Sequence, residues 1–132
     1  FKNQITFDFL TVYPEISSLR KKIAAFIVCN EKNIYITAGS DAGIKAAFEV
    51  FVEKGDSVAL LHPTYAMYYI YTDMFQGKLV KINYKKDLSL SAEDVINVIS
   101  QHKPKLVCLA NPNSPTGTII PPAGIKKIME VC

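Results

Sequence analysis

The sequence predicts an α/β fold in three layers, α/β/α, around a mainly parallel sheet. Runs of strand length, rich in β-branched and aromatic residues, alternate with stretches whose apolar residues recur every three or four positions. The segments between successive strand-type runs are long enough to hold a helix, and strands joined in that way run parallel with helices covering the sheet. Glycines at 55 and 77 close two of the helical stripes, as helix stops do.

Taken in order, Tyr13-Pro14-Glu15 marks a break, because proline disfavours helical geometry in the residue before it. A helix is expected from Ser17 or Ser18 to Asn30, with Leu19, Ile23, Phe26 and Ile27 on its packing face and Arg20, Lys21 and Lys22 elsewhere. Ile34-Tyr35-Ile36-Thr37-Ala38 reads as the first strand, followed at once by Gly39-Ser40-Asp41, where Ser40 can cap a helix. Ile44, Ala47, Phe48 and Phe51 form the apolar stripe of that helix, and Lys45 and Glu49 pair four apart on its wet side.

The unit then recurs. Ser57 to Leu61 reads as a strand, His62-Pro63-Thr64-Tyr65 as its exit loop, and Ala66 to Gln76 as a helix burying Met67, Tyr71, Met74 and Phe75. Leu79 to Asn83 is a third strand. After a lysine-rich turn, Ser91-Ala92-Glu93-Asp94 has the form of a capping box, and Val95, Val98 and Ile99 supply the inner face of the helix it opens. Leu106 to Ala110 is the fourth strand, Asn111 to Gly117 its exit loop, and Pro122 opens a last helix through Ile125, Ile128 and Met129. No fixed-period repeat, low-complexity segment or linker divides the chain.

Composition bounds the function. At 132 residues, 49% of them hydrophobic and 20% charged, the chain has the size and core material of one globular domain. Its net charge of +3 comes from fourteen scattered lysines and the single Arg20, which is no footprint for nucleic acid or a membrane surface. No apolar run approaches the roughly 20 residues that cross a bilayer, and Phe1-Lys2-Asn3-Gln4 does not resemble a signal peptide, so a cytoplasmic setting is expected. Cys29, Cys108 and Cys132 have no metal or disulfide spacing and are expected to be buried apolar residues; no metal site is expected. A start at Phe1 and a stop at Cys132 within a helical pattern lead us to expect a segment of a longer protein.

Three loops stand out, and in a parallel sheet loops leaving strand C-termini emerge along one edge, where such folds bind ligands. Gly39-Ser40-Asp41 opens a helix and leaves backbone N–H groups for a phosphate at the positive end of the helix dipole. Asp41 would repel a phosphate if its carboxylate faced inward, so its side chain should be turned away or hydrogen-bonded within the loop. Tyr65 offers an aromatic ring for a flat heterocycle, and Asn111 to Gly117 offers amide and hydroxyl groups for a ring oxygen. Phosphate, planar ring and polar ring substituent together describe a phosphorylated heteroaromatic cofactor.

The motifs Tyr13-Pro14-Glu15, Thr37-Ala38-Gly39-Ser40-Asp41, Pro63-Thr64-Tyr65-Ala66-Met67-Tyr68 and Asn111 to Gly117 resemble, in order and separation, those of the fold-type I pyridoxal-phosphate enzymes. Within that group the sequence is similar to the histidinol-phosphate aminotransferases. The resemblance spans almost the whole chain and implies that residues 1–132 are part of the large domain, which binds pyridoxal 5'-phosphate. By resemblance, Ser40 and Asp41 belong to the turn that holds the cofactor phosphate, and Tyr65 stacks on the pyridine. Tyr13 is similar to the family tyrosine that reaches toward the phosphate in a neighbouring subunit, which implies a homodimer. The loop after the fourth strand resembles the one that supplies an asparagine to the cofactor's phenolic oxygen. Ser114 stands directly before Pro115-Thr116-Gly117 where many relatives have that asparagine, so the bond is assigned to Asn113, with Asn111 and Ser114 as alternatives.

The same resemblance places the Schiff-base lysine, the acid facing the pyridine nitrogen and the carboxylate-binding arginine downstream of this chain, together with strands that complete the sheet. None of the fourteen lysines matches the catalytic one. The expected activity is amino-group transfer between an amino acid or amino-phosphate and a 2-oxo acid. A decarboxylase of a phosphorylated amino acid fits the motifs equally well, and a non-catalytic, aminotransferase-like sensor domain of a transcription regulator is a further alternative. A plain nucleotide-binding domain ranks last, because Gly39-Ser40-Asp41-Ala42-Gly43 departs from G-x-G-x-x-G and no Walker lysine pattern is present.

Overall fold

A computed structural model describes residues 5–132 and divides them into two units, Ser40 opening the second. The first contains α1 (Phe7–Thr11), α2 (Ser17–Ile27) and a single 3-10 turn at Glu31–Asn33. The helix expected from Ser17 or Ser18 forms but stops at Ile27, where Val28 turns left-handed at φ 54° and its N–H bonds the Ala24 carbonyl. Asn30 then caps the 3-10 turn, its side chain accepting from the Lys32 N–H at 2.9 Å. Of the expected packing face, Ile23 is half-buried, whereas Leu19, Phe26 and Ile27 are exposed and Ala24 is the buried residue. A unit this short has too little surface to cover a full apolar face.

The strand expected at Ile34–Ala38 is not formed. A strand exists only through the partner it bonds to, and the sheet of the described residues consists of three other strands. Residues 34–38 instead run as irregular chain into α3 (Gly39–Phe51), with the Thr37 hydroxyl donating to the Gly39 carbonyl at 2.7 Å. Ser40 is therefore not the cap but a residue of the first helical turn.

The second unit is built on β1 (Ser57–His62), whose side chains from Val58 to Leu61 are all buried. β2 (Lys78–Asn83) pairs with it in parallel from Ser57↔Lys78 to His62↔Asn83, and β3 (Leu106–Cys108) pairs on the other side from Val58↔Leu106 to Leu60↔Cys108. The order is β2-β1-β3, with α4 (Ala66–Met74) joining β1 to β2 and α5 (Ala92–His102) joining β2 to β3; α6 (Pro122–Met129) follows β3.

Strand alternation sorts the core into two faces. Val58 and Leu60 meet Phe48 and Val52, at the end of α3 and just beyond it, and Tyr71 of α4. Ala59 and Leu61 meet Ile82 of β2, Val95 and Ile99 of α5, and Ile128 of α6. Each fully buried aliphatic side chain of this kind contributes about 1.5–3 kcal/mol. The three-layer α/β/α arrangement is thus present. β3 ends at Cys108, two residues before the expected Ala110, and Met74 is exposed although Met67, Tyr71 and Phe75 pack inward. The cysteines also differ from expectation: Cys29 and Cys132 are exposed, and only Cys108 is half-buried in the sheet, where burial pushes its thiol up to about 12.

α5 and α6 approach closely because position 124 lacks a Cβ: one placed there would lie 2.9 Å from Ile120 Cγ2 and 3.1 Å from Ala92 Cβ. Gly124→Val is expected to lower stability by about 1–3 kcal/mol in a urea denaturation curve, and an unchanged midpoint would contradict this packing. The capping box at the start of α5 is complete, Ser91 and Asp94 each bonding the other's backbone N–H, and Lys85 lies 3.1 Å from the Asp94 carboxylate. The Ser91 backbone and hydroxyl, then Lys85, lower the Asp94 pKa from 3.8 to about 2. A depressed carboxyl stabilises the fold above its unfolded pKa and loses that contribution as pH falls through the folded one. Stability should therefore fall between about pH 4 and 2, and Asp94→Asn should flatten that limb in denaturation midpoints measured across pH.

Candidate functional site

The sheet itself locates a site. β1 exits into α4, which covers the face of Val58 and Leu60, whereas β3 exits toward α6, which covers the face of Ala59 and Leu61. Two neighbouring parallel strands whose exits part to opposite faces leave a crevice at their carboxyl ends, the topological switch point at which such sheets bind ligands. The segments that leave the two strands there are His62 to Tyr65 and Leu109 to Ile120.

The first turn of α3 supplies backbone N–H groups at Ser40 and Asp41 that have no carbonyl one turn earlier in the helix to bond. Ser40 is exposed. Asp41 does not bond within its own loop; its Oδ2 accepts from the Tyr71 hydroxyl of α4 at 2.8 Å, and its Oδ1 is enclosed without a donor among the described residues. The hydrogen bond to Asp41, with burial and the carboxylate's charge, raises the Tyr71 phenol above its ordinary pKa of 10.

At the exit of β1, the Tyr69 hydroxyl donates to the Leu61 carbonyl at 3.1 Å and pairs with His62 Nδ1 at 2.8 Å, holding the start of the loop against α4. Tyr65, the residue before α4, is 39% exposed and meets the Tyr68 ring edge-on, with centroids 5.8 Å apart. Its ring is thus braced from below yet open to solvent.

The loop after β3 is closed by its own asparagines. Asn111 makes a two-way bond to the Ile120 backbone, Nδ2 donating to its carbonyl at 3.0 Å and Oδ1 accepting from its N–H at 2.9 Å. Asn113 is 2% exposed. Its Oδ1 accepts from the Thr64 hydroxyl at 2.7 Å, and its Nδ2 donates to the Pro63 carbonyl at 3.0 Å and to Thr116 Oγ1 at 2.9 Å. From Thr116 the chain of bonds continues to Thr118 and on to the hydroxyl of Tyr84, the residue after β2, each at 2.8 Å. One polar cluster therefore joins the exits of all three strands.

Of the residues singled out in the sequence, Ser40, Asp41, Tyr65 and Asn113 lie in this second unit, the first two in the opening turn of α3 and the last two in the segments that follow β1 and β3. Tyr13 belongs to the first unit, where it is 97% exposed.

A family model described as aminotransferase class I and II matches residues 5–132. The chain belongs to that family. Among curated relatives, this aminotransferase chain is 36% identical over 123 residues to the histidinol-phosphate aminotransferase of Caldanaerobacter subterraneus subsp. tengcongensis, covering 92% of this chain and 35% of the relative. It is 35% identical over 117 residues to that of Clostridium novyi, covering 89% of this chain and 33% of the relative. The chain thus spans about a third of the length of the curated relatives it matches. A putative histidinol-phosphate aminotransferase structure from Erwinia carotovora atroseptica superposes with a TM-score of 0.79 at 28% identity, covering 87% of this chain and 34% of that one. The histidinol-phosphate aminotransferase from Sinorhizobium meliloti, solved in complex with pyridoxal-5'-phosphate, shares the fold at a TM-score of 0.79 and 24% identity, covering 86% of this chain and 31% of that one.

Sequence reasoning missed Thr64, Tyr71 and Tyr84. Each looks like an ordinary loop, helix or strand-end residue in sequence, and only a polar atom in a buried setting marks it; the hydroxyls flanking Gly117, Thr116 and Thr118, were the available signal. The Asp41–Tyr71 pair is directly testable. Asp41→Ala should move one phenol's ionisation to lower pH in an ultraviolet titration, since it removes both the bond and the charge that hold Tyr71 neutral; a superimposable titration curve would refute the pairing.

Proposed function

We infer that this chain is the pyridoxal-phosphate-binding part of an aminotransferase that moves an amino group between a histidinol-phosphate-like amino-phosphate and a 2-oxo acid, in amino-acid biosynthesis. The observation that carries the reading is the switch point between β1 and β3. Within the second unit, an aromatic ring open to solvent and a clamped polar loop follow neighbouring strands at one sheet edge, and the first turn of α3, tied to α4 through Asp41 and Tyr71, adds N–H donors. The similarity to histidinol-phosphate aminotransferases over nine-tenths of this chain supports the substrate class.

The donor set fits the cofactor. An anionic phosphate suits the first turn of α3, where Ser40 adds a hydroxyl and the Tyr71 bond draws the Asp41 carboxylate toward α4. Tyr65 provides a face for the pyridine, and the 111–117 loop provides polar groups at the ring's edge. When bound, pyridoxal phosphate supplies an electron sink for the substrate's α-carbon. The residues of this chain hold and orient the ring and its phosphate, and proton transfer falls to residues outside it.

Tyr13 is assigned to the cofactor phosphate of a second subunit, in a homodimer; its nearly complete exposure supports a contact outside its own unit. A cytoplasmic setting belongs to the same reading; among the described residues no helix is long and apolar enough to cross a membrane.

The intact protein is expected to take up stoichiometric pyridoxal phosphate and to transfer the amino group of histidinol phosphate to a 2-oxo acid. Tyr65→Ala should weaken cofactor affinity by about threefold to tenfold, the worth of one aromatic stack, as read by equilibrium dialysis. Release of carbon dioxide from a phosphorylated amino acid without amino transfer would make the protein a decarboxylase, and absence of cofactor uptake would remove the reading altogether.

A further inference from the structure

We propose that Tyr71 is a positioning residue for the cofactor phosphate: by holding the Asp41 carboxylate against α4, it stops that carboxylate from capping α3 and leaves the N–H groups of the first turn to the phosphate. The inference deepens the cofactor reading above and rests on it. What carries it is a contrast between two helices of the same unit. Asp94 is the third residue of α5, and Asp41 is the third residue of α3. An acidic side chain at that position can fold back onto the N–H groups that open its own helix. Asp94 does so, its Oδ2 accepting from the Ser91 N–H at 2.9 Å. Asp41 makes no such bond among the described residues. Its Oδ2 accepts instead from the Tyr71 hydroxyl at 2.8 Å, and its Oδ1 is enclosed without a donor.

An enclosed carboxylate oxygen with no donor is costly where it lies, so the side chain is held there against its own preference. Among the described residues the Tyr71 hydroxyl is the side-chain donor that holds it. That hydroxyl is itself fixed by the core. The Tyr71 ring is 4% exposed and packs on Phe48, another residue of α3, with centroids 5.8 Å apart. The Gly39 N–H already bonds the Thr37 carbonyl at 2.9 Å, which leaves the N–H groups of Ser40 and Asp41 as the open donors of the turn. Without the Tyr71 hydroxyl neither oxygen of Asp41 has a donor, and the carboxylate turns back to the start of its helix. There it takes up donors that a phosphate would use and sets a negative charge beside an anion.

A double-mutant cycle in the intact protein tests this, read by equilibrium dialysis with pyridoxal phosphate and with pyridoxal, which lacks the phosphate. Tyr71→Phe keeps the ring on Phe48 and is expected to weaken pyridoxal phosphate binding roughly fivefold to tenfold, the worth of one helix cap, while pyridoxal binding is unchanged. Asp41→Ala leaves no carboxylate to turn back, so it is expected to bind pyridoxal phosphate at least as tightly as the wild type. In that background Tyr71→Phe should cost less than about twofold for either ligand. Should Tyr71→Phe alone fail to fold, Asp41→Ala still decides: a loss of affinity there that is confined to the phosphorylated ligand overturns the inference. So does a Tyr71→Phe protein whose affinities match the wild type, that loses equally for pyridoxal, or that loses as much in the Asp41→Ala background. A wild-type protein that takes up no pyridoxal phosphate overturns the cofactor reading and this inference with it.

Discussion

The second unit depends on the burial of β1 on both faces. A strand with Val58 and Leu60 turned one way and Ala59 and Leu61 the other has no side to give to water, so it must be covered twice. The end of α3 and α4 supply one cover, α5 and α6 the other. Once both covers are in place the neighbours of β1 run parallel to it, and the chain leaves all three strands at the same edge. A functional edge is thus a by-product of a hydrophobic constraint in the middle of the sheet.

That edge would be loose if its loops were only turns. Apolar burial is non-directional and sets no spacing between two loops, whereas a buried amide does, because each unmet hydrogen bond costs far more than a met one contributes. Asn113 and Thr64 apply that rule across the crevice, and Thr116, Thr118 and Tyr84 extend it to the exit of β2. Tyr71 likewise ties α4 to the first turn of α3 through Asp41. Polar side chains buried among loops here hold the parts of the site at fixed separation.

Most helices were legible because each carries its own signal. The Ser91-to-Asp94 capping box announced α5, Pro122 announced α6, and the spacing of Ile44, Ala47 and Phe48 announced α3. Strands were less secure, since a strand is a relation between segments. Ile34 to Ala38 has strand composition, yet no described strand pairs with it, and β3 keeps only the three residues that register against β1. The exposure of Phe26 and Met74 has the same origin: periodicity says which face is apolar, not what lies opposite it.

For the site, local chemistry in the sequence determined which loops matter. Pro63 after β1 and the prolines of the turn after β3 restrict the backbone by their covalent rings, and Gly39 at the start of α3 takes a φ of 82° that residues with a Cβ rarely adopt. Those restrictions act between residues near in the chain and hold in any fold. The division of labour among the side chains was decided by tertiary structure alone. Asn113, Asn111 and Ser114 are close neighbours of similar polarity in sequence, and nothing local distinguishes them. Folding brought Thr64 and Pro63 to Asn113 and Ile120 to Asn111, and left Ser114 in solvent. A hydrogen bond between residues 49 apart depends on where the sheet puts them, and no sequence pattern of that length records it.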